Sequence, residues 1–179
     1  MAPLMLPYEI RAVAVYSDEN GKVPRGIYPK PVPRRMSRLS NAALCCVAQL
    51  VQKCGDYILQ LPLVYASRHG ELERTHALFD ELKTYGEMSP AGFSLSVHNA
   101  TASLLGLTSG STNNSTTLAA GPDSLAMGIM EATMLSRKHN TESLMVYGDC
   151  FPELQAAAML VKYSSTETRS LPQTLDDIR

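Results

Sequence analysis

Four cysteines and four histidines are the groups in this 179-residue chain best suited to nucleophilic or metal chemistry. Cys45, Cys46, Cys54 and Cys150 show neither CxxC spacing nor a neighbouring histidine cluster of the kind that holds zinc. The first three share one helical stretch, where a thiol serves as a small apolar packing group. Cys150 invites a nucleophile reading, with Asp149 beside it and a distant histidine as base. A neighbouring carboxylate charge raises a thiol's pKa, so Asp149 makes Cys150 a poorer nucleophile. His76 falls on an apolar helix face and His139 in a polar turn, neither with metal-ligand spacing. Arg68-His69 stands at a helix start, where outward amides attract a phosphate, although a solvated loop is the simpler reading. No Gly-x-Ser-x-Gly elbow and no Gly-rich phosphate loop occurs. The expectation is a chain without metal or cofactor and without a self-sufficient catalytic centre.

A different kind of signal runs from Ser115 to Leu125. Ser115 to Ala119 is short, β-branched and uncharged, which predicts a strand. Gly121-Pro122-Asp123 then reads as a helix start, with glycine as cap, proline at the first position and an acid next. Between Ser124 and Ser136 the one charged residue is Glu131, while Leu125, Met127, Ile129, Met130, Met134 and Leu135 wrap nearly the whole circumference. A helix without a polar face must be covered on several sides, so residues 122 to 138 are expected to form the most buried helix.

The elements around this turn follow from periodicity. Residues 12 to 16 predict a strand, followed by a polar turn at Ser17-Asp18-Glu19-Asn20-Gly21. Pro24, Pro29, Pro31 and Pro33 impose an extended connection. Leu39, Ala43, Val47, Leu50 and Cys54 draw a stripe along a helix that Gly55 ends. Leu61 to Ala66 is a buried strand that Pro62 makes late to start, and Leu72, His76, Phe79 and Leu82 mark a second helix with Glu71 and Glu73 in its first turn. Ser89 to Gly110 is small-residue rich and reads as helical, Ser143 to Tyr147 and Gln155 to Tyr163 as strands. Residues 1 to 163 are expected to form one domain, with 164 to 179 as a polar tail outside the core.

Alternating strands and helices give an α/β layered domain. Near-neutral charge, formally -1, offers no basic footprint for nucleic acid. No stretch approaches the roughly 20 apolar residues of a membrane span, and the start of the chain lacks signal-peptide features, so membrane insertion is not expected and the cytoplasm is.

Several segments, in order, resemble the N-terminal half of beta-ketoacyl synthases, and more closely the short beta-ketoacyl synthase-like proteins of aryl polyene biosynthesis. They are Arg34-Arg35-Met36-Ser37-Arg38-Leu39-Ser40, Ala66-Ser67-Arg68-His69-Gly70-Glu71-Leu72, Ser94-Leu95-Ser96-Val97-His98-Asn99-Ala100 and Thr117-Leu118-Ala119-Ala120-Gly121. The likeness runs roughly over residues 10 to 163. It implies a thiolase-like layered fold, in its N-terminal half only, with a buried central helix beside the sheet.

The resemblance also carries a departure. It implies a nucleophilic cysteine where the strand turns into the helix, and Gly121 stands there, so no thioester can form. The half that in full-length enzymes holds two catalytic histidines is expected to be absent. The implied function is a non-catalytic, chain-length-factor-like subunit that pairs with a cysteine-containing ketosynthase and meets acyl carrier protein only indirectly. Phe93, His98, Met127 and Met130 are its acyl-pocket candidates, and Ser115, Thr116, Thr117, Leu118 and Ala119 its dimer-interface candidates. The competing readings are a degenerate ketosynthase half acting as an interaction module and an unrecognised acyltransferase or hydrolase.

Overall fold

The computed structural model describes residues 5–17 and 21–178. The apolar start at 1–4, the middle of the polar turn expected over 17–21, and Arg179 lie outside the described residues. Five strands make the main sheet: β2 (Tyr8–Val15), β3 (Leu63–Ala66), β4 (Ser115–Leu118), β5 (Ser143–Asp149) and β6 (Gln155–Tyr163), in the order β2-β6-β5-β3-β4. β4, β3 and β5 run parallel, whereas β6 is antiparallel to both β5 and β2. A small second sheet pairs β1 (Met5–Leu6) with β7 (Arg169–Ser170).

Helices cover both faces of the main sheet. On one face lie α1 (Arg38–Cys54) and α4 (Ala100–Ser109), on the other α5 (Ser124–His139). The strands divide their side chains accordingly: Leu63 and Tyr65 of β3, Leu144 and Val146 of β5, and Ala156, Ala158 and Leu160 of β6 join the α1 core. Val64, Ala66, Met145, Ala157, Met159 and Val161 join the α5 core. Burial on both faces is why these strands read as unbroken apolar runs rather than as alternating ones. Gly128 lets α5 sit close to the sheet, since a Cβ there would come within 2.8 Å of the Ala66 Cβ.

Capping follows the sequence. Ser37 caps α1 by accepting from the Ser40 N–H at 2.9 Å, and Gly55, at φ 102°, ends the helix. Pro62 is excluded from β3, which starts one residue later. The Pro24–Pro33 segment forms neither helix nor strand, but it is not the extended connection expected: it turns and bends over residues 25–30, with Gly26 at φ 77°, and sends the Tyr28 hydroxyl to the Leu44 carbonyl at 2.7 Å.

Three further expectations are corrected. The helix after Gly121 is not the most buried one: α1, from Leu39 to Val51, and the shorter α4 are both more completely buried. Met134 of α5 is 40% exposed and Met127, Met130 and Glu131 are half-buried, because the outer stripe of α5 meets no complete second layer. The second correction concerns α2 (Leu72–Tyr85), whose expected core stripe points outward. Leu78 is its buried residue, against Gly92, while Phe79 and Leu82 are exposed, because α2 packs on the short α3 (Pro90–Ser94) instead of the sheet. Finally, the segment after Ser164 is not outside the core. It delivers Leu171 and Leu175 to the α5 side, a contribution two isolated leucines in a polar stretch do not announce.

Candidate functional site

The turn between β4 and α5 is closed by Ser124. Its hydroxyl donates to the Gly121 carbonyl at 2.7 Å and accepts from the Ala120 N–H at 3.0 Å. Gly121–Asp123 therefore form one 3-10 turn, and α5 begins at Ser124, not at the Gly121 cap read from sequence. Gly121 has φ 57°, a conformation that favours glycine, and a Cβ placed on it would meet open space. The position thus has room for a side chain and a backbone that resists one.

Beside this turn stands His98, whose Nε2 lies 3.2 Å from the Leu118 carbonyl. Its ring covers Gly70, which at φ 56° turns the chain between β3 and α2. The next residue back, His69, is tied to β5: Nδ1 is 3.0 Å from Oδ2 of the buried Asp149, whose Oδ1 also accepts the backbone N–H groups of His69 and Cys150. Phe151 packs edge-on against the His69 ring. Cys150 donates its thiol to the Gly70 carbonyl at 3.5 Å, and its pKa is raised, by burial first, with the charges of Glu73 and Asp149 adding to it. Both features disfavour a thiolate, in keeping with the sequence argument.

Glu71 is the site's unforeseen residue. Read as an ordinary first-turn acid, it is instead 5% exposed and turned inward. Oε1 accepts the hydroxyls of Ser37 (2.8 Å), Ser40 (3.0 Å) and Thr101 (3.1 Å), and Oε2 faces Arg74 at 3.5 Å. One carboxylate thereby pins the starts of α1, α2 and α4 together. The hint in the sequence was three hydroxyl residues on helix-forming segments, a pattern equally common on solvated helix ends.

The interface candidates fall on the sheet edge. β4 is the last strand, and Leu63 N–H donates to the Asn114 carbonyl while Ser67 N–H donates to that of Leu118. Alternation along a strand therefore sends the backbone groups of Ser115 and Thr117 away from β3, to the open edge. Ala119 follows the strand and is exposed. The Ser115 and Thr117 side chains line a cavity of about 250 Å³ with Leu63, Leu105 and Leu144 at its apolar wall and Asn99 and Ser103 from the α4 region. Thr116 and Leu118 face the α5 side, Thr116 reaching Glu131 at 3.4 Å.

The four acyl-pocket candidates are not gathered in one cavity of this chain. Phe93 is exposed on α3, His98 lies between Gly70 and Leu118, Met127 lines a groove under residues 168–178, and Met130 is half-buried on α5. Among the described residues no cluster of metal-ligating side chains occurs, and no helix is long and apolar enough to cross a membrane.

Comparison with known proteins gives this geometry a context. The sequence profile described as beta-ketoacyl synthase, N-terminal domain, matches residues 11–161. Among curated proteins no relative matches. A chain from the ketosynthase (ApeO) in complex with its chain length factor (ApeC), from Xenorhabdus doucetiae, superposes with TM-score 0.68 at 23% identity, over 90% of this chain and 81% of that one. The ishigamide ketosynthase/chain length factor gives TM-score 0.64 at 14% identity, over 90% of this chain and 63% of that one. The priming beta-ketosynthase of the R1128 polyketide pathway gives 0.50 at 12%, over 93% and 53%. At these identities the likeness is one of fold.

Proposed function

The chain belongs to the beta-ketoacyl synthase N-terminal domain family, and from that premise we propose that it is the non-catalytic, chain-length-factor-like partner of a cysteine-bearing ketosynthase. The observation that carries this reading is Gly121: the turn from edge strand to helix is built, with room at its tip, and the residue there has no side chain to acylate. The partner supplies the thiol and performs the condensation on acyl carrier protein in the cytoplasm. This chain completes the pair and shapes the space for the growing acyl chain, of aryl polyene type.

The surface around β4 supports the same reading. Ser115 and Thr117 present free backbone groups at the edge, a template for strand addition. Phe79, Leu82, Tyr85, Met88, Phe93 and Val97 are all exposed on the α2–α3 hairpin and the turn after it, apolar side chains that a partner would cover. Phe93 and His98 wall an acyl tunnel when the partner closes it, with the cavity beside Ser115 and Thr117 at its end. Met127 and Met130 stand on the α5 side of the sheet, away from that cavity, and take no part in this wall.

The test is co-expression with a cysteine-containing ketosynthase encoded beside this chain. A one-to-one complex on size exclusion, with condensing activity requiring both chains, is the expected result. A wild-type chain that stays apart from that ketosynthase overturns the subunit reading in favour of a degenerate interaction module, and turnover by the chain alone overturns both.

A further inference from the structure

We propose that residues 164–178, with β1, form a strap by which the chain closes its own sheet face beside α5. The family profile spans residues 11–161, so both pieces lie outside the matched domain, at opposite ends of the chain, and yet they pair with each other. Met5 opposes Ser170 and Leu6 opposes Arg169. The Tyr8 hydroxyl donates to the Ser170 carbonyl at 2.9 Å, and the Ser164 N–H donates to the Pro7 carbonyl at 3.0 Å. Leu171 and Leu175 then bury themselves with Leu6 and Tyr8 in the same cluster as Leu125, Ile129, Met159 and Val161.

The strap's far end is closed by Asp177. Its Oδ2 accepts the N–H groups of Gln173 (2.9 Å) and Thr174 (2.8 Å) and the Thr174 hydroxyl (3.1 Å), which fixes the turn that carries Leu175. Between these anchors the strap spans a groove of about 1410 Å³, floored by Ile10, Val13, Ala126 and Met127. A packed layer would fill that space. Two leucines and a two-residue ladder instead hold a bridge over it, and a bridge so held opens at lower free energy than the sheet beneath. Lifting it bares contiguous apolar surface on β2 and the first turns of α5. The strap therefore protects this face, and the partner-facing surface is left to the opposite side of the molecule's sheet order, at β4.

The experiment uses the full chain alone, so its outcome does not depend on the partner reading. In the double variant Leu171→Asp/Leu175→Asp, amides of β2 and of residues 124–130 are expected to exchange at least about tenfold faster, with those of α1 unchanged, and anilinonaphthalene sulfonate fluorescence to rise severalfold. In Met5→Cys/Ser170→Cys, which joins an opposed pair, oxidation is expected to slow exchange in residues 165–175 and reduction to restore it. Unchanged exchange on the α5 side in the aspartate variant, or strap amides as protected as those of β5 in the wild type, overturns the proposal. Precipitation of the aspartate variant leaves the oxidised and reduced cysteine pair to decide.

Discussion

The His98 Nε2 hydrogen is donated to the Leu118 carbonyl at 3.2 Å, which holds the imidazole ring directly over Gly70. A carbonyl can only accept, so the contact fixes the tautomer with its proton on Nε2. The segment before α4, the turn after β3 and the end of β4 thus meet through one side chain, next to the turn that holds Gly121. The ring fits because Gly70 has no side chain.

Gly70→Ala is accordingly expected to destabilise the fold. A Cβ would stand 2.6 Å from His98 Nδ1, on a backbone at φ 56°. The left-handed conformation costs about 1–2 kcal/mol for an alanine and the overlap about 1–3 more. Thermal denaturation should show a midpoint lower by roughly 5 °C or more. Adding His98→Ala should recover the steric part and leave the backbone part, so a double-mutant cycle that proves additive contradicts the packing argument.

Gly121→Cys should yield a folded chain with an alkylatable thiol and no condensing activity. Open space surrounds the new Cβ, so the cost is confined to φ 57°, about 1–2 kcal/mol. In each nearby ring one nitrogen is committed, His98 Nε2 to Leu118 and His69 Nδ1 to Asp149, and a thiol added alone brings no donors for the enolate and thioester oxyanions of a condensation. Mass spectrometry after iodoacetamide checks the first claim, and an assay with acyl and malonyl carrier proteins the second. Turnover would sink the idea that only the partner supplies the chemistry.

How much of this was legible beforehand depended on what each residue's signal was about. The strand Ser115–Leu118, the stop at Gly55 and the late start at Pro62 were readable because they rest on local backbone chemistry. The outward stripe of α2 was not, since periodicity reports amphipathicity and is silent on whether a neighbour is there to receive it. Glu71 was hidden for the opposite reason. Its role comes from hydroxyls 30 or more positions away, at Ser37, Ser40 and Thr101, which only the tertiary fold brings within reach.

Glu71→Ala should cost more than Glu71→Gln. Alanine strips the acceptor shared by three hydroxyls in a buried place, a loss of about 2–4 kcal/mol, although Ser40 and Thr101 can still bond each other at 2.8 Å. Glutamine keeps one acceptor oxygen and loses the Arg74 attraction, worth less because Arg74 is partly exposed. Urea denaturation midpoints that rank the two variants the other way would contradict the shared-acceptor account.

Alkaline pH should unfold the chain through its buried thiols and phenols. Burial pushes the Cys46 thiol up to about 12, and raises Cys45, Tyr28 and Tyr65 as well. Each is neutral in both states below its unfolded pKa, so stability is fully present there. Above about pH 9 the unfolded chain ionises while the folded chain cannot, and stability falls as the pH rises towards the folded values. Chemical denaturation between pH 7 and 11 should therefore be flat at first and then decline, less steeply in Cys46→Ala. A decline of equal slope in that variant would remove Cys46 from the account.

The edge of β4 gives the sharpest test of pairing, because its two kinds of backbone group can be separated. Asn114 and Leu118 direct their carbonyls to β3, so Thr117, out of phase with them, directs its N–H to the open edge. Proline at position 117 removes that donor and nothing from the β3–β4 ladder, and edge strands are where sheets tolerate proline. The ring also replaces a side chain that lines an open cavity rather than the dense core. The isolated Thr117→Pro chain should therefore keep its far-ultraviolet dichroism and lose no more than about 1–2 kcal/mol. Strand addition across the edge loses a backbone hydrogen bond and meets a ring where the incoming strand must lie, so co-purification with the ketosynthase should be abolished. Thr116→Pro is the control, since the inward N–H it deletes belongs to the chain's own sheet and should unfold β4 outright. Retention of the partner by a folded Thr117→Pro chain would move the interface off this edge and onto the exposed α2–α3 surface around Phe79 and Phe93.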